Sequence, residues 1–253
     1  MQEPVRGPRL LESDGATAIA WVWPQAAGPE LLWVRARSPE SLLTPAAAVA
    51  VARTCPGQVV ATEDVALSAA LADAGLPLVR HLHAMAADPR QVATARVRDD
   101  LRLAPLSEAP LDALARLRLA AFPPGHPDHS EETVEQRVAA FGHELADPDN
   151  LVHPSSRSAW LGDDLVGCCV VTDSRHMPGF VGPWVMNVSR LPGKRAGGAG
   201  AAMLVDAARA VSDAGGDYLG LAVTDTNPAR RLYERMGWSG LEMWLHHVPE
   251  GQG

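Results

Sequence analysis

Cysteine is scarce in this chain: three in 253 residues, with no CxxC pair and no Cys/His spacing suited to zinc. Cys168 and Cys169 are adjacent in an apolar run. Neighbours on a strand point to opposite faces, so these two do not pair with each other. A disulfide scaffold is excluded and a reducing compartment is expected. No run approaches the ~18 consecutive apolar residues of a membrane span, and the start of the sequence lacks the apolar core of a secretion signal. Positive charge is also short. The formal net charge of -8 argues against a nucleic-acid backbone as the main partner. What is there is ordinary for a soluble globular protein, 47% hydrophobic and 21% charged, and long enough for one large domain or two modest ones. The expectation is a cytoplasmic monomer or homodimer that uses no metal, nucleic acid or membrane.

The pattern of apolar runs and breakers predicts α/β architecture. In residues 1–97, strands are expected at 18–23, 30–36, 58–62 and 78–85. Helices are expected at 44–53, opened by Thr44-Pro45, and at 65–74, stopped by Gly75. From residue 98 the expected order is strand 101–106, helix 111–122, a Pro-rich loop at 123–130 and a helix from Ser130 to 146. A hairpin at 158–162 and 165–173 follows, then strand 180–188, helix 201–215, strand 217–223, helix 228–236 and strand 241–248. Such alternation builds a mixed central sheet flanked by helices. The natural boundary is a smaller α/β subdomain over 1–97 and a larger domain over 98–253. At an offset of 162 residues, Leu42/Leu204, Ala46/Ala208, Val49/Val211, Thr62/Thr224 and Gly75/Gly237 coincide, and the element order coincides with them. Duplication and chance in Ala-rich sequence both explain the letters. Under duplication the first copy is degenerate, with no glycine loop, Val65 where the second half has Asn227, and Leu71 where it has Tyr233.

Chemistry concentrates in residues 187–238. Arg195-Ala196-Gly197-Gly198-Ala199-Gly200 leads into an amphipathic helix, with Gly193 and Lys194 just before it. A helix N-terminus leaves backbone N–H groups unpaired and carries partial positive charge, and glycines let a diphosphate approach it. The second segment is Asn227-Pro-Ala229-Arg-Arg-Leu-Tyr233-Glu-Arg-Met-Gly237-Trp238, which reads as a capped helix ended by a glycine turn.

These two segments resemble the motifs of the GCN5-related (GNAT) N-acetyltransferases. The first matches Arg/Gln-x-x-Gly-x-Gly/Ala after a strand. The second matches Asn-x-x-Ala-x-x-x-Tyr-x-x-x-Gly-Phe, with the alanine one place early and Trp for Phe. The resemblance covers about residues 100–250 and implies an acyl-CoA N-acyltransferase-like fold. It implies acetyl-CoA as co-substrate, held by Asn187, Val188, Arg190, Lys194, Arg195, Ala196, Gly197, Gly198, Ala199, Gly200, Asn227, Ala229 and Tyr233. It further implies a splayed strand whose backbone near Asn187–Val188 polarises the thioester carbonyl, and Tyr233 as the acid that protonates the leaving thiolate.

Each residue also has a plainer reading. Asn227 is a good helix cap with Pro228 behind it, Tyr233 lies on the apolar stripe Ala229, Leu232, Tyr233, Met236, and Val188 is ordinary strand core. Two departures stand out. Arg190 stands where the family usually has valine, and strand 180–188 contains no acid where many relatives carry glutamate. Candidate bases are then Asp173, His176, Asp225, His126 and His129. The expected function is acyl transfer from acetyl-CoA to a primary amine of a small molecule or peptide. The alternatives are a non-catalytic acyl-CoA sensor and a duplicated scaffold whose glycine loop is a linker.

Overall fold

The computed structural model describes residues 8–13, 16–23, 31–36, 44–146, 152–177 and 180–250. The expected start of a strand at Glu30 lies outside them. The chain divides into two compact units, Met1–His83 with Leu241–Gly253, and Ala84–Gly240.

The first unit begins with β1 (Pro8–Ser13), β2 (Ala16–Trp23) and β3 (Leu31–Ala36), paired antiparallel in sequence order. Helix α1 (Pro45–Ala52) carries the chain to β4 (Val59–Thr62), which pairs parallel with β3. Helix α2 (Val65–Asp73) follows because Asp64 caps it, its carboxylate accepting from the N–H groups of Ala66 at 2.8 Å and Leu67 at 3.4 Å. Gly75, at φ 83°, ends it, and the Leu76 N–H closes on the Leu71 carbonyl. β5 (Leu78–Ala87) begins here, and β11 (Ser239–His247) pairs antiparallel with β4 through Trp244–His247. The fully buried His246 is satisfied on both nitrogens: Nδ1 donates to the Leu76 carbonyl at 2.9 Å and Nε2 accepts from Ser68 Oγ at 2.8 Å.

The second unit contains α3 (Pro89–Val92), β6 (Arg102–Pro105), α4 (Leu111–Ala121), α5 (Val134–Ala146), β7 (Arg157–Leu161), β8 (Asp164–Met177), β9 (Phe180–Arg190), α6 (Ala199–Asp213), β10 (Leu219–Thr224) and α7 (Arg230–Arg235). Its strands lie in the order β10-β9-β8-β7-β6, antiparallel except for the parallel pair β9 and β10 that α6 connects. Alternation along β8 sends side chains to two cores. Cys169 and Val171 join Met203, Leu204, Ala207 and Val211 of α6. Cys168 and Val170 join Leu114 and Leu117 of α4 and Phe141 of α5. The adjacent cysteines therefore face opposite layers, and both are unpaired thiols.

Several expected boundaries shift. The second compact unit starts at Ala84, not at 98, and the C-terminal strand from Leu241 belongs with the first. The reason is packing: α3, capped by Asp88, buries Val92 in the α6 core, and Arg209 of α6 donates to the Ala93 carbonyl. Within the expected capping stretch Ser130–Thr133, it is Thr133 that caps helix α5. Thr133 Oγ1 accepts from the Gln136 N–H at 3.2 Å and Gln136 Oε1 accepts from the Thr133 N–H at 2.8 Å, a reciprocal capping box. Ser130 instead bonds Glu132. Helix α7 starts at Arg230, two residues later than expected, and β8 and β9 run on to Met177 and Arg190. Strand β1 and helix α3 had no place in the expected element order. The helix–strand–helix–Gly–strand order does recur, as α1–β4–α2–Gly75–β5 and α6–β10–α7–Gly237–β11, with both glycines at positive φ.

Gly220 of β10 lets the parallel pair close. A Cβ there would lie 2.4 Å from the Trp184 ring and 2.4 Å from the Tyr218 hydroxyl. Gly220→Ala is expected to destabilise the protein by ~1–3 kcal/mol through overpacking, measured by urea denaturation.

Candidate functional site

The central geometric fact is an opening in the sheet. β9 stays paired with β8 as far as Gly167↔Arg190, but among the described residues it meets β10 at Trp184↔Gly220 and Val185↔Leu221 and at no position beyond Val185. The register of β8 against β9 slips at the same place: Val170 faces Asn187 and Val171 faces Val185, leaving Met186 as the extra residue of a bulge. A bulge bends its strand and increases local twist, which is how one edge of β9 leaves its neighbour while the other stays bonded. Asn187 and Val188 lie just past this point, and the Asn187 side chain accepts from Ser189 Oγ at 2.6 Å.

The glycine loop follows directly. Gly193 and Gly198 have φ of 93° and 82°, and Gly198 is the residue before the first turn of α6. Two guanidinium groups grip the loop by its carbonyls. Arg190 donates to Leu191 and Gly193, at 2.8 and 3.4 Å, and Arg98 donates to Arg195 and Gly197, at 2.8 and 2.7 Å. Asp100 holds Arg98 in turn, at 2.5 Å. A trans peptide sets its N–H opposite its C=O. Pinning the Arg195 and Gly197 carbonyls therefore turns the Ala196 and Gly198 N–H groups to the other side of the loop. Gly200 sits under Val188, where an added Cβ would lie 3.9 Å from Val188 Cγ2. Arg195 and Lys194 are exposed, and Arg195 pairs with Asp164 at 2.9 Å. A cleft of about 600 Å³ adjoins the loop, with Arg195, Ala196, Pro192, Asp164, Val166 and Trp160 in its lining.

Tyr233 is 6% exposed and packs edge-tilted on Trp238 at 6.0 Å. Burial raises its pKa, with the Cys169 thiol and the Asp128 carboxylate adding to the shift, so the phenol holds its proton at neutral pH. Cys169 is the register partner of Val188, and Tyr233 shares one buried cluster with Cys169, against which Val188 packs. Its hydroxyl makes no hydrogen bond among the described residues. The cysteines are unsuited to nucleophilic work, because burial pushes the Cys168 thiol up to about 12 and raises Cys169 as well.

Asn227 closes the turn before α7, its Oδ1 accepting from the Ala229 N–H at 2.9 Å. Its Nδ2 donates to Asp128 at 2.7 Å, and Thr224 Oγ1 donates to the same carboxylate at 2.9 Å. Asp128 comes from the loop between α4 and α5, so the tertiary fold delivers a carboxylate to the end of β10 that β9 itself lacks. Sequence reasoning singled out the histidines on either side of it but not Asp128, nor Arg98.

The expected bases are scattered. Asp173 pairs with Pro183, on the far side of Trp184 from the splay. Asp225 is ion-paired with Arg230 at 2.7 Å. The His176 side chain lies outside the described residues. His129 is exposed, and its Nδ1 donates to the Phe122 carbonyl at 2.8 Å, which leaves Nε2 as the acceptor in the neutral ring. His126 accepts the Asp128 N–H on Nδ1 at 3.1 Å and leans on Phe122 at 4.7 Å. Burial lowers the His126 pKa, helped by Arg118 and His129 and opposed by Asp128. A histidine depressed below 6.5 takes up its proton more readily when unfolded, so its contribution to stability is full above that pH and lost as pH falls below it. Denaturation at graded pH is expected to show His126→Asn losing less stability than the parent between neutral and acid pH, since the amide oxygen replaces Nδ1 but cannot be protonated there.

No family model matches this sequence, and no curated protein does. Solved structures do match. A GCN5-related N-acetyltransferase from Kribbella flavida superposes with a TM-score of 0.59 at 16% identity, covering 98% of this chain and 91% of that one. One from Sphaerobacter thermophilus gives 0.54 at 18%, covering 92% and 77%. A tandem GNAT protein from the clavulanic acid biosynthesis pathway gives 0.56 at 11%, covering 99% and 86%. Long coverage at such low identity is a likeness of fold: the chain has the mixed α/β fold of the GCN5-related N-acetyltransferases.

Proposed function

We propose that this protein is an acyltransferase that moves an acetyl or similar acyl group from a coenzyme A thioester to a primary amine. The observation that carries the reading is the splay between β9 and β10, flanked by a glycine loop at the start of α6 and a buried phenol. In this reading the loop N–H groups of Ala196, Gly198 and Gly200 meet the diphosphate, with Lys194 and Arg195 adding charge, and Arg190 and Arg98 shaping the loop. The pantetheine arm enters the splay past Asn227 and Ala229. The Val188 N–H then faces the thioester carbonyl.

The amine attacks that carbonyl, and the tetrahedral oxyanion is stabilised at Val188. Collapse breaks the C–S bond, and the thiolate takes the Tyr233 proton. The amine gives up its own proton toward Asp128, directly or through water, which also supplies the negative charge that attracts a cationic amine. The acceptor is a small molecule or peptide amine, and the setting is the cytoplasm. The matching element order at 162 residues favours a degenerate first copy, so one acyl-CoA per chain is expected.

A second reading, a sensor that binds acyl-CoA without turning it over, rests on the absence of acid in β9. Titration calorimetry with acetyl-CoA tests what the two share; no heat at millimolar ligand removes both. Thiol release over a panel of amines separates them. Tyr233→Phe is expected to lower kcat by about a hundredfold with acetyl-CoA affinity kept, and unchanged turnover would remove the acid role. Arg98→Ala is expected to weaken coenzyme A binding by about tenfold while leaving the weak binding of pantetheine, which has no diphosphate, unchanged.

A further inference from the structure

Three further side chains able to bind a metal lie together within the first compact unit. His81 and His83 alternate on β5, so both project from one face of the strand. β11 is the neighbouring strand and contributes Glu242. One donor atom from each of these three residues lies within 4.8 Å of the others. His81 Nε2 is 2.7 Å from Glu242 Oε1, and the two imidazole rings stand 5.7 Å apart. The His81 ring is also held flat against Trp244, 5.1 Å away at 13°.

We infer that His81, His83 and Glu242 form a binding site for a borderline divalent cation of the zinc type. The donor set is two imidazole nitrogens and one carboxylate oxygen, which suits Zn²⁺, Ni²⁺ or Cu²⁺ and is poor for Mg²⁺ or Ca²⁺, whose ligands are oxygens. Zinc bonds of about 2.0–2.1 Å in a tetrahedron place donors about 3.3 Å apart. His81 and Glu242 need to open slightly to reach that spacing, and the other pairs need to close by no more than about 1.5 Å. Glu242 is on the exposed side of the site, with a side chain 46% accessible, so it has the freedom to make that adjustment. The stacked Trp244 fixes the His81 ring plane in advance, which lowers the entropy lost on binding. Three protein donors are enough to hold such an ion, which takes a fourth ligand besides them. Cross-strand ligands of this kind tie β5 to β11, so the metal would stabilise the first unit rather than act in acyl transfer.

The simpler alternative is a His81–Glu242 hydrogen bond with no metal, and the experiment separates the two. Full-length protein without a histidine tag, stripped with a chelator, is titrated with ZnCl₂ and with MgCl₂ by calorimetry. One zinc per chain at micromolar affinity, rising thermal stability and no magnesium binding are expected. His83→Ala and Glu242→Gln should each weaken zinc by at least about tenfold, the scale on which outer-shell partners alone act. Cobalt substitution of the unmodified protein reads the site without any variant, and visible absorption of a four-coordinate ion is expected. Affinity should fall as pH is lowered, because protons compete for the imidazoles. Failure of zinc to bind, or equal binding by both variants, overturns the inference. Neither outcome bears on acetyl-CoA binding.

Discussion

Everything at the candidate site depends on the sheet failing to close between β9 and β10. Two paired positions, Trp184 with Gly220 and Val185 with Leu221, hold the strands together, and the bulge at Met186 then turns β9 away. A gap of this kind offers backbone edges to an extended ligand, which is what the proposed function uses.

The opening is held by groups that lie outside it. Gly220 brings the two strands close at their paired end, because an added Cβ there would lie 2.4 Å from the Trp184 ring. Arg98 and Arg190 shape the loop from one side by binding its carbonyls, so its N–H groups are presented on the other. Asp128, anchored by Thr224 and Asn227, ties the loop between α4 and α5 to the end of β10. Asn227 thus has a structural duty on both ends of its amide, and the family-derived contact to a pantetheine arm competes with these bonds rather than using idle donors. Tyr233 stays protonated because it is buried.

Much of the second unit was legible. The glycines at 193, 197, 198 and 200 and the Asn-to-Tyr spacing pointed to the loop and to α7, because both depend on short-range chemistry such as positive φ, caps and helical period. Element boundaries were less legible where capping choices compete, as with Thr133 over Ser130. The division into units was not legible. The C-terminal strand joins β4 of the first unit, a pairing between segments nearly two hundred residues apart that no local pattern encodes.

By itself the amino-acid sequence determined the α/β class, the order of most elements, the glycine loop before α6 and the tyrosine stripe, since each is written in residue types within a few turns of one another. Tertiary structure alone decided the carboxylate at the mouth of the splay, the arginine behind the loop, the bulge at Met186 and the His81–His83–Glu242 cluster. Those features arise from contacts between segments distant along the chain, which are selected by packing and strand register rather than by local propensity.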